Sequence, residues 1–452
     1  MKSDSPSNQL QFLAPSLREM CNPKNPLWQL AEKIDWKEIE AELSPLYADF
    51  GRPAKPIRLM VGLNLLKHMF NLGDETVIKT WVENPYYQYF TGETVFQWKF
   101  PVASSDMVYF RKRIGENGLE RILAATIKVH GDSALEEEVI LDTTVQEKNI
   151  THPTDVKLYS RVIESCWRIA DKEGILLRQR YSRVRKKYLY LQRFRKSKIR
   201  YKEAIRAERR LRVIAGRLTR ELLKKLPKSR IKTYAPEMDV FQQIVYQKKS
   251  DSGKVYSVHE PDVQCISKGK EYKKYEFGCK VSLAVTKDSG VCVGAMSFEK
   301  NPYDGHTLPA ALDQCERLTE QRPKVALVDL GYRGAKQVGA TEILYAGRVS
   351  KDLTGSARYR MKKKLRRRAS IEPRIGHMKA RFRLGRNFLK GLFGDMANVL
   401  LAASAMNLVN WMSRFLAPIL LVLIKLCQGS NKLLETFRKR PDHWTPVLLD
   451  AF

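Results

Sequence analysis

The alternation of apolar and polar residues divides this chain of 452 residues into helical ends and a mixed centre. From residue 11 to about 128 apolar residues recur at helical spacing, and the apolar residues near 394–427 predict further helices. Within the first region we predict a helix over about 57–70, a tight turn at 72–74 and a second helix that ends near 84. Such a pair is either a DNA-reading helix-turn-helix or, more commonly, two helices that merely pack together.

Short apolar runs bounded by turn residues predict β-strands in the centre of the chain. The runs lie at 139–145, in three stretches between 254 and 298, at 324–334 and at 343–348. A helix over 306–322 separates the antiparallel group from the later strands, of which the first is parallel in type. Because strands come first and then alternate with helix, the order predicts an α/β fold with a mixed sheet flanked by helices.

Charge changes the picture of the helical segment between the first two groups of strands. Between Arg178 and Lys232 there are 23 Lys and Arg residues against three Glu residues, with aromatic residues interleaved. So one-sided a block would repel itself unless a polyanion neutralised it, which favours long basic helices along a phosphate backbone. The alternative is a solvated, partly disordered arm.

The whole chain is basic as well, with a formal net charge of +32 and a pI near 9.8. This charge predicts a polyanionic partner, with nucleic acid the first candidate and an anionic membrane surface the second.

The longest apolar run, residues 415–424, is interrupted by Pro418 and is too short to cross a bilayer, and residues 1–12 lack the apolar stretch of a secretory signal. The seven cysteines form no C-x-x-C pair. We therefore expect a soluble, cytoplasmic protein with reduced cysteines and no membrane partner.

Two aspartates in predicted strands are candidates for chemistry. Asp142 follows Val-Ile-Leu and Asp329 follows Val-Ala-Leu-Val, although aspartate is disfavoured in strands. Two buried like charges close together are costly unless a cation neutralises them. Carboxylate oxygens suit Mg²⁺ or Mn²⁺ better than zinc, and with Glu372 as a third carboxylate the set is sufficient for two divalent ions.

Glu372 is the one acid in the segment RRRASIEPRIGHMK, residues 366–379. The plain interpretation is a solvated surface helix, because a charge run usually faces water. In the catalytic alternative Glu372 faces a metal ion while neighbouring bases such as Arg368, Arg374 and Lys379 hold DNA phosphates.

A proline sets the predicted start of the helix that carries Glu372. Pro373 is comfortable at the first helical position, which would leave Leu365 and Arg368 before the helix. From Glu372 onward the helical wheel places Lys379 on the side of the acid.

Two further polar segments have a structural and a functional interpretation. Asp155 is either an auxiliary acid or, more commonly, a helix cap. Asp304 and His306 either line the site or form the turn and cap at a helix entry.

Aromatic residues near these motifs also have two interpretations. Tyr332 and Arg333 follow Asp329, and their sequence position is equally compatible with contacting DNA and with not contacting it. Trp98 and Trp411 are predicted as core anchors rather than as platforms on which bases stack.

In chain order these motifs resemble those of the DDE transposases of bacterial insertion sequences. The first two are Asp142 in VILDTTV and Asp329 in VALVDLGYRG, and the third is an R-x₃-E-x₆-K spacing formed by Arg368, Glu372 and Lys379. The N-terminal stretches GRPAKPIRLMVGLNLLK and P-x-x-x-S-D-x-x-x-F-R-x-R point to the subgroup with a helical N-terminal domain. The likeness covers about residues 40–410.

The resemblance implies an RNase H-like core with Asp142 on its first strand, Asp329 after its fourth and Glu372 on a following helix. These three acids would bind Mg²⁺ or Mn²⁺, with two ions expected, and Arg368 and Lys379 would contact phosphate. Where the wider family has a tyrosine three residues before the arginine, this chain has Leu365.

The implied activity is transposition: binding of the terminal inverted repeats, metal-dependent strand cleavage and strand transfer into target DNA. A homodimer is expected because two DNA ends must be held together, and a bacterial transposase would work at the nucleoid. Two alternatives remain, namely a nuclease with the same core that does not rejoin strands, and a non-catalytic DNA-binding derivative.

The domain prediction follows from these features. Residues 1–130 form a helical domain for DNA binding or assembly, residues 131–412 form the catalytic domain, and residues 413–452 form a helical tail. The basic helical block at about 156–250 is an insertion in the catalytic domain.

Overall fold

The computed structural model describes residues 15–47, 53–267, 274–347 and 354–426, with side chains as far as Arg414. The helices before the sheet are α1 (Leu17–Met20), α2 (Pro26–Lys33), α3 (Trp36–Leu43), α4 (Ile57–Met69), α5 (Asp74–Glu83), α6 (Pro85–Phe90) and α7 (Ser104–Lys128). The later helices are α8 (Asp155–Lys172), α9 (Ser182–Leu191), α10 (Tyr201–Lys225), α11 (Lys228–Tyr246), α12 (Asp304–Thr319), α13 (Gly355–Arg366), α14 (Ile371–Arg381) and α15 (Gly391–Leu426).

The described strands form one mixed sheet, which confirms the predicted α/β class. They are β1 (Glu138–Lys148), β2 (Gln264–Ser267), β3 (Tyr275–Thr286), β4 (Cys292–Phe298), β5 (Val325–Val328), β6 (Gln337–Val338), β7 (Thr341–Tyr345) and β8 (Arg386–Asn387). The order is β2-β3-β1-β5-β7-β6, with β4 also on β3 and β8 on the end of β1. As the sequence pattern predicts, β3 pairs antiparallel with β2 and β4, and β5 is a parallel strand, next to β1. β1 also pairs antiparallel with β3, which the sequence pattern did not predict. Of the predicted stretch before β3, only β2 is a strand.

Helix α15 replaces the several closing helices that the sequence predicts. It packs against α7, α4 and β4, and its described side chains are mostly buried. Residues 391–414 are long and apolar enough to cross a membrane, but 83% of the apolar window is buried within the fold. Its apolar character is thus accounted for by the core. The side chains of 415–424 and the residues 427–452 lie outside the part that the structure describes.

The first predicted helix pair is present as α4 and α5. Nearly all of α4 is buried, and α5 buries Val77, Ile78 and Trp81. In the first turn of α5, Asp74 pairs with Lys67 and Arg111, and the exposed Glu75 would repel a phosphate backbone. The structure therefore favours the packing interpretation over a DNA-reading helix-turn-helix.

The basic block is a folded helical bundle, built from α8, α9, α10 and α11, rather than a disordered arm. It has a hydrophobic cluster of its own, in which Val162, Leu211, Leu218 and Phe241 are fully buried. The buried residues of α10 recur at helical spacing and leave its opposite face to the basic residues. A second cluster runs from Leu17 through the sheet to Met412, so the N-terminal helices share a core with the sheet.

Candidate active site

The strand register brings the two candidate aspartates together. β5 runs parallel to β1 with Val325 opposite Glu138 and Leu327 opposite Ile140. The same register, continued past the end of β5, sets Asp329 beside Asp142. β1 extends beyond the point where β5 stops, so Asp142 lies at an opening in the sheet although it is in the middle of a strand. The carboxyl ends of parallel strands are where open α/β sheets place their sites.

One guanidinium group contacts all three candidate acids. Arg368 Nη2 lies 3.0 Å from Asp142 Oδ2 and 3.5 Å from Asp329 Oδ2, and Nη1 donates to Glu372 Oε1 at 2.6 Å. The side chain of Asp142 is 14% exposed and that of Glu372 is 63% exposed, so the cluster reaches from the sheet to the surface. Arg368, predicted to face phosphate, here pairs with the acids.

The helix that carries Glu372 begins earlier than predicted. After α13 the chain makes a 3-10 turn, Arg367–Ser370, and continues directly into α14. Pro373 is therefore the third residue of α14, within its first turn, where proline is tolerated best. Because helical geometry runs through the turn, Arg368 and Glu372 are one turn apart and pair as i and i+4. Leu365 belongs to α13 and is buried.

The other two predicted phosphate contacts, Arg374 and Lys379, are on α14. The Arg374 guanidinium donates to the carbonyl and hydroxyl oxygens of Ser370, both at 2.8 Å, and packs against Gly290 in the β3–β4 turn. Gly290 has φ +72°, and a side chain there would collide with the guanidinium. Lys379 is half-buried near the end of the helix. Their contact with DNA stays a prediction.

The sequence did not single out a polar network on the other side of β1. Asp304 begins α12 but does not cap it; its Oδ1 accepts from Thr143 Oγ1 at 2.8 Å and from Lys280 Nζ at 2.8 Å. Asp304 thus lies beside the site, and the capping interpretation is wrong for its side chain. In the sequence, the only indication of this network was an acid where a predicted helix begins, and an acid there can either cap the helix or line a site.

Tyr332 is buried beneath the aspartates and is not a DNA contact. Its side chain is 1% exposed. Burial, followed by the negative charges of Asp142, Asp304 and Asp329, raises its pKa well above the ordinary range. Tyr332 is therefore a neutral floor of the site, whereas Arg333 is exposed.

Three smaller predictions have different outcomes. The cap of α8 is Thr154, whose side chain accepts from the Lys157 N–H at 3.4 Å, so Asp155 is only the first residue of the helix. Trp98 is 81% exposed, and its prediction as a core anchor is wrong. Trp411 packs against the core as predicted.

The donor chemistry of the acids fits a hard divalent cation. No cluster of three or more His, Cys, Asp or Glu side chains in the described part of the chain is spaced to hold a metal ion. Among the candidate acids, the Arg368 guanidinium occupies the intervening space. Carboxylate oxygens are the donors that Mg²⁺ and Mn²⁺ prefer, so the set fits once the guanidinium withdraws.

A basic cleft opens beside the acids. It has a volume of about 620 Å³, and its lining includes Arg358, Lys362, Arg366 and Arg368. Since Arg368 lines the cleft and also contacts the acids, a polyanion in the cleft would lie next to the carboxylates.

The helical bundle carries much of the excess positive charge: residues 178–232 have 23 Lys and Arg against three Glu, an excess of +20, and the whole chain has a net charge of +32. Ion pairs hold six of the 23 basic residues between Arg178 and Lys232, namely Arg180, Arg185, Arg195, Arg200, Lys225 and Arg230. No ion pair between described residues holds the other seventeen. Some interleaved aromatic rings pack against arginines, as where Arg200 lies 3.7 Å over the ring of Phe194.

Two family models match the chain. The one described as Transposase domain (DUF772) matches residues 15–113, and the one described as Transposase DDE domain matches residues 248–408. Among curated proteins, the chain is similar to a Rhizobium meliloti protein described as uncharacterized protein ORF8 in nfe locus. The two are 44% identical over 176 residues, which cover 38% of this chain and 85% of that protein. No solved structure matches.

Proposed function

Because this chain belongs to the DDE transposases of insertion sequences, we propose that it binds the terminal inverted repeats of its element and catalyses DNA strand cleavage and transfer. The family has an RNase H-like fold, which agrees with the mixed sheet described above. The observation that carries the proposal is the convergence of Asp142, Asp329 and Glu372 on one guanidinium where β5 ends beside β1.

The three acids are the proposed ligands of Mg²⁺ or Mn²⁺, with two ions expected. When bound, such ions activate a nucleophilic oxygen and stabilise the leaving oxygen of a phosphodiester. Asp142 and Asp329 offer oxygens from the sheet, and the exposed Glu372 offers one from α14. Arg368 would exchange the carboxylates for a DNA phosphate, which its fork of N–H donors matches equally well.

The remaining parts of the chain would hold DNA. Arg374 and Lys379 are proposed phosphate contacts beside the acids, and the basic cleft and the bundle of α8–α11 extend the positive surface. A homodimer is proposed because transposition joins two element ends, and the protein would act in the bacterial cytoplasm at the nucleoid. The proposed division remains 1–130, 131–412 with the insertion, and 413–452.

The test is nicking of supercoiled plasmid that carries the element's own ends. Purified wild type is compared with Asp142→Asn, Asp329→Asn and Glu372→Gln in Mg²⁺ and in EDTA, with Asp313→Asn as a surface control. We expect metal-dependent nicking that each site variant loses and the control keeps, with DNA binding retained. Nicking that survives Glu372→Gln would exclude that residue from the site.

The products separate the alternatives. Joining of the cut ends to target DNA is expected of a transposase, whereas cutting without joining would indicate a nuclease. Binding to the ends without cleavage in any divalent metal would indicate a non-catalytic derivative.

A further inference from the structure

We infer that Lys280, Asp304 and Thr143 form a positioning relay that fixes the carboxylate of Asp142. This inference rests on the proposed function, because it concerns how one of the proposed metal ligands is held. The three residues come from β3, the start of α12 and β1.

Consecutive hydrogen bonds join the relay to the aspartate. The Thr143 N–H donates to Asp142 Oδ1 at 2.9 Å, and Thr143 Oγ1 donates to Asp304 Oδ1 at 2.8 Å. Lys280 Nζ donates to the same Asp304 oxygen at 2.8 Å and to the Pro302 carbonyl at 2.6 Å. Thr143 thus connects the two carboxylates through its backbone and its hydroxyl group.

Thr143 and Lys280 point to the face of the sheet opposite Asp142, and Asp304 Oδ1 joins them there. Successive side chains of a strand point to opposite faces, so the side chains of Asp142 and Thr143, neighbours on β1, lie on opposite faces of the sheet. Arg368 binds Asp142 on the side of α14, while α12, which packs on β3 and β4, binds Thr143 through Asp304. The strand is therefore held from both faces at the aspartate.

The ion pair within the relay is partly shielded from water. The side chain of Lys280 is 11% exposed and that of Asp304 is 27% exposed. A charge-assisted hydrogen bond in such a place is stronger than one on the open surface, and it fixes Oδ1 of Asp304 as an acceptor for Thr143.

The consequence concerns what happens when Arg368 leaves. Oδ2 of Asp142 then loses its ion pair, but Oδ1 keeps the Thr143 N–H, whose residue is anchored by Asp304. The aspartate therefore keeps its orientation for a cation. Partners of metal ligands typically alter metal affinity by about 10- to 100-fold.

The experiment is calorimetric titration of the full chain with Mn²⁺, without DNA, together with thermal unfolding. Thr143→Val removes the hydroxyl at nearly constant volume, and Thr143→Ser retains it. We expect Thr143→Val to weaken Mn²⁺ binding by about tenfold or more, Thr143→Ser to restore it, and the unfolding midpoints to agree. Equal affinity in the valine variant and the wild type, or no recovery with serine, would overturn the relay.

A matched pair on α12 tests Asp304 itself. Asp304→Asn removes the charge that holds Lys280, whereas Asp313→Asn changes a surface acid of the same helix that pairs with Arg322 at 2.8 Å. Weaker Mn²⁺ binding is expected only for Asp304→Asn, and equal effects of the two variants would contradict the inference. Asp142→Asn distinguishes a failure of the proposed metal site from a failure of the relay. If this variant binds Mn²⁺ like the wild type, the proposed metal site is wrong. If it loses Mn²⁺ binding while the Thr143 and Asp304 variants keep it, only the relay is wrong.

Discussion

At the scale of single residues, Arg368 competes with any cation that binds the three acids. Its guanidinium pairs with oxygens of Asp142, Asp329 and Glu372, and a divalent ion at the proposed site would need those same oxygens. Arg368→Gln removes the competing charge, so we predict Mn²⁺ binding about tenfold tighter, a gain of about 1.4 kcal/mol. Calorimetry on the DNA-free chain measures this.

A neighbouring arginine provides the control for that prediction. Arg367 pairs with Asp288 at 3.0 Å, and no ion pair in the described part of the chain joins it to the three acids. Arg367→Gln should leave Mn²⁺ affinity unchanged. Weaker binding in Arg368→Gln would mean that the arginine assembles the acids rather than competing for them.

Asp74 is a second residue whose charge has a measurable consequence. It bonds Lys67 at 2.8 Å and Arg111 at 2.7 Å. Burial opposes its ionisation, but the hydrogen bond from Arg111 and the charge of Lys67 outweigh burial and lower its pKa from 3.8 to about 2. Between these values the unfolded chain binds more protons than the folded chain. The stabilisation is therefore complete above pH 3.8 and is lost as the pH falls through 2.

We predict that this carboxylate contributes about 2 kcal/mol to the free energy of unfolding over that window. Urea unfolding from pH 5 to pH 2 measures it, with Asp74→Asn as the comparison. The variant should lack this part of the acid dependence and should be less stable at pH 7 by about 3 kcal/mol or more, because Lys67 and Arg111 remain buried. An unchanged acid profile would contradict the assignment.

At the scale of elements, one side chain of α15 satisfies the backbone of β4 at a single residue. Asn407 Oδ1 accepts from the Cys292 N–H at 2.8 Å, and its Nδ2 donates to the Cys292 carbonyl at 2.9 Å. Asn407→Leu would leave both backbone groups buried without a partner, at about 1–3 kcal/mol each. We predict a loss of about 3 kcal/mol in the free energy of unfolding, whereas half-buried Asn410→Ala on the same helix should change it by less than about 1 kcal/mol. A small effect at Asn407 would show that water replaces the side chain.

The elements that the sequence predicts best are those whose pattern is local. Helices α4 and α5, and strands β1, β5 and β7, follow from spacing alone, and the aspartates were noticeable because they interrupt apolar strands. Partners distant in sequence were not predictable in this way. Thr143 and Asp304 are 161 residues apart, and only the folded sheet shows that their side chains meet.

The same limit explains what the sequence missed at Arg368 and the wrong prediction for Trp98. The ion pairs of Arg368 were missed because Asp142 and Asp329 lie far from it in the sequence, and its predicted phosphate contact stays a prediction. Trp98 was expected in the core from its residue type, but the loop that carries it leaves it in solvent. The residue type gives only the environment that is most frequent for it, and the tertiary structure decides whether a particular side chain is buried or exposed.

At the scale of the whole molecule, the positive charge is concentrated on the bundle of α8–α11, which is built as a stable surface with its own core. Neutralising a DNA phosphate releases counterions, and each phosphate contact adds about 0.9 to the magnitude of the slope of log affinity against log salt concentration.

Arg209 and Arg210 lie on the exposed face of α10. If the bundle follows DNA, changing both to Gln should lower that slope by up to about 2. The exposed pair Lys33 and Lys37, changed in the same way, should leave it unaltered, so fluorescence anisotropy across a salt series distinguishes local contacts from net charge. Equal changes in the two variants would mean that DNA responds only to the total charge of the protein, and the bundle would lose its assigned role.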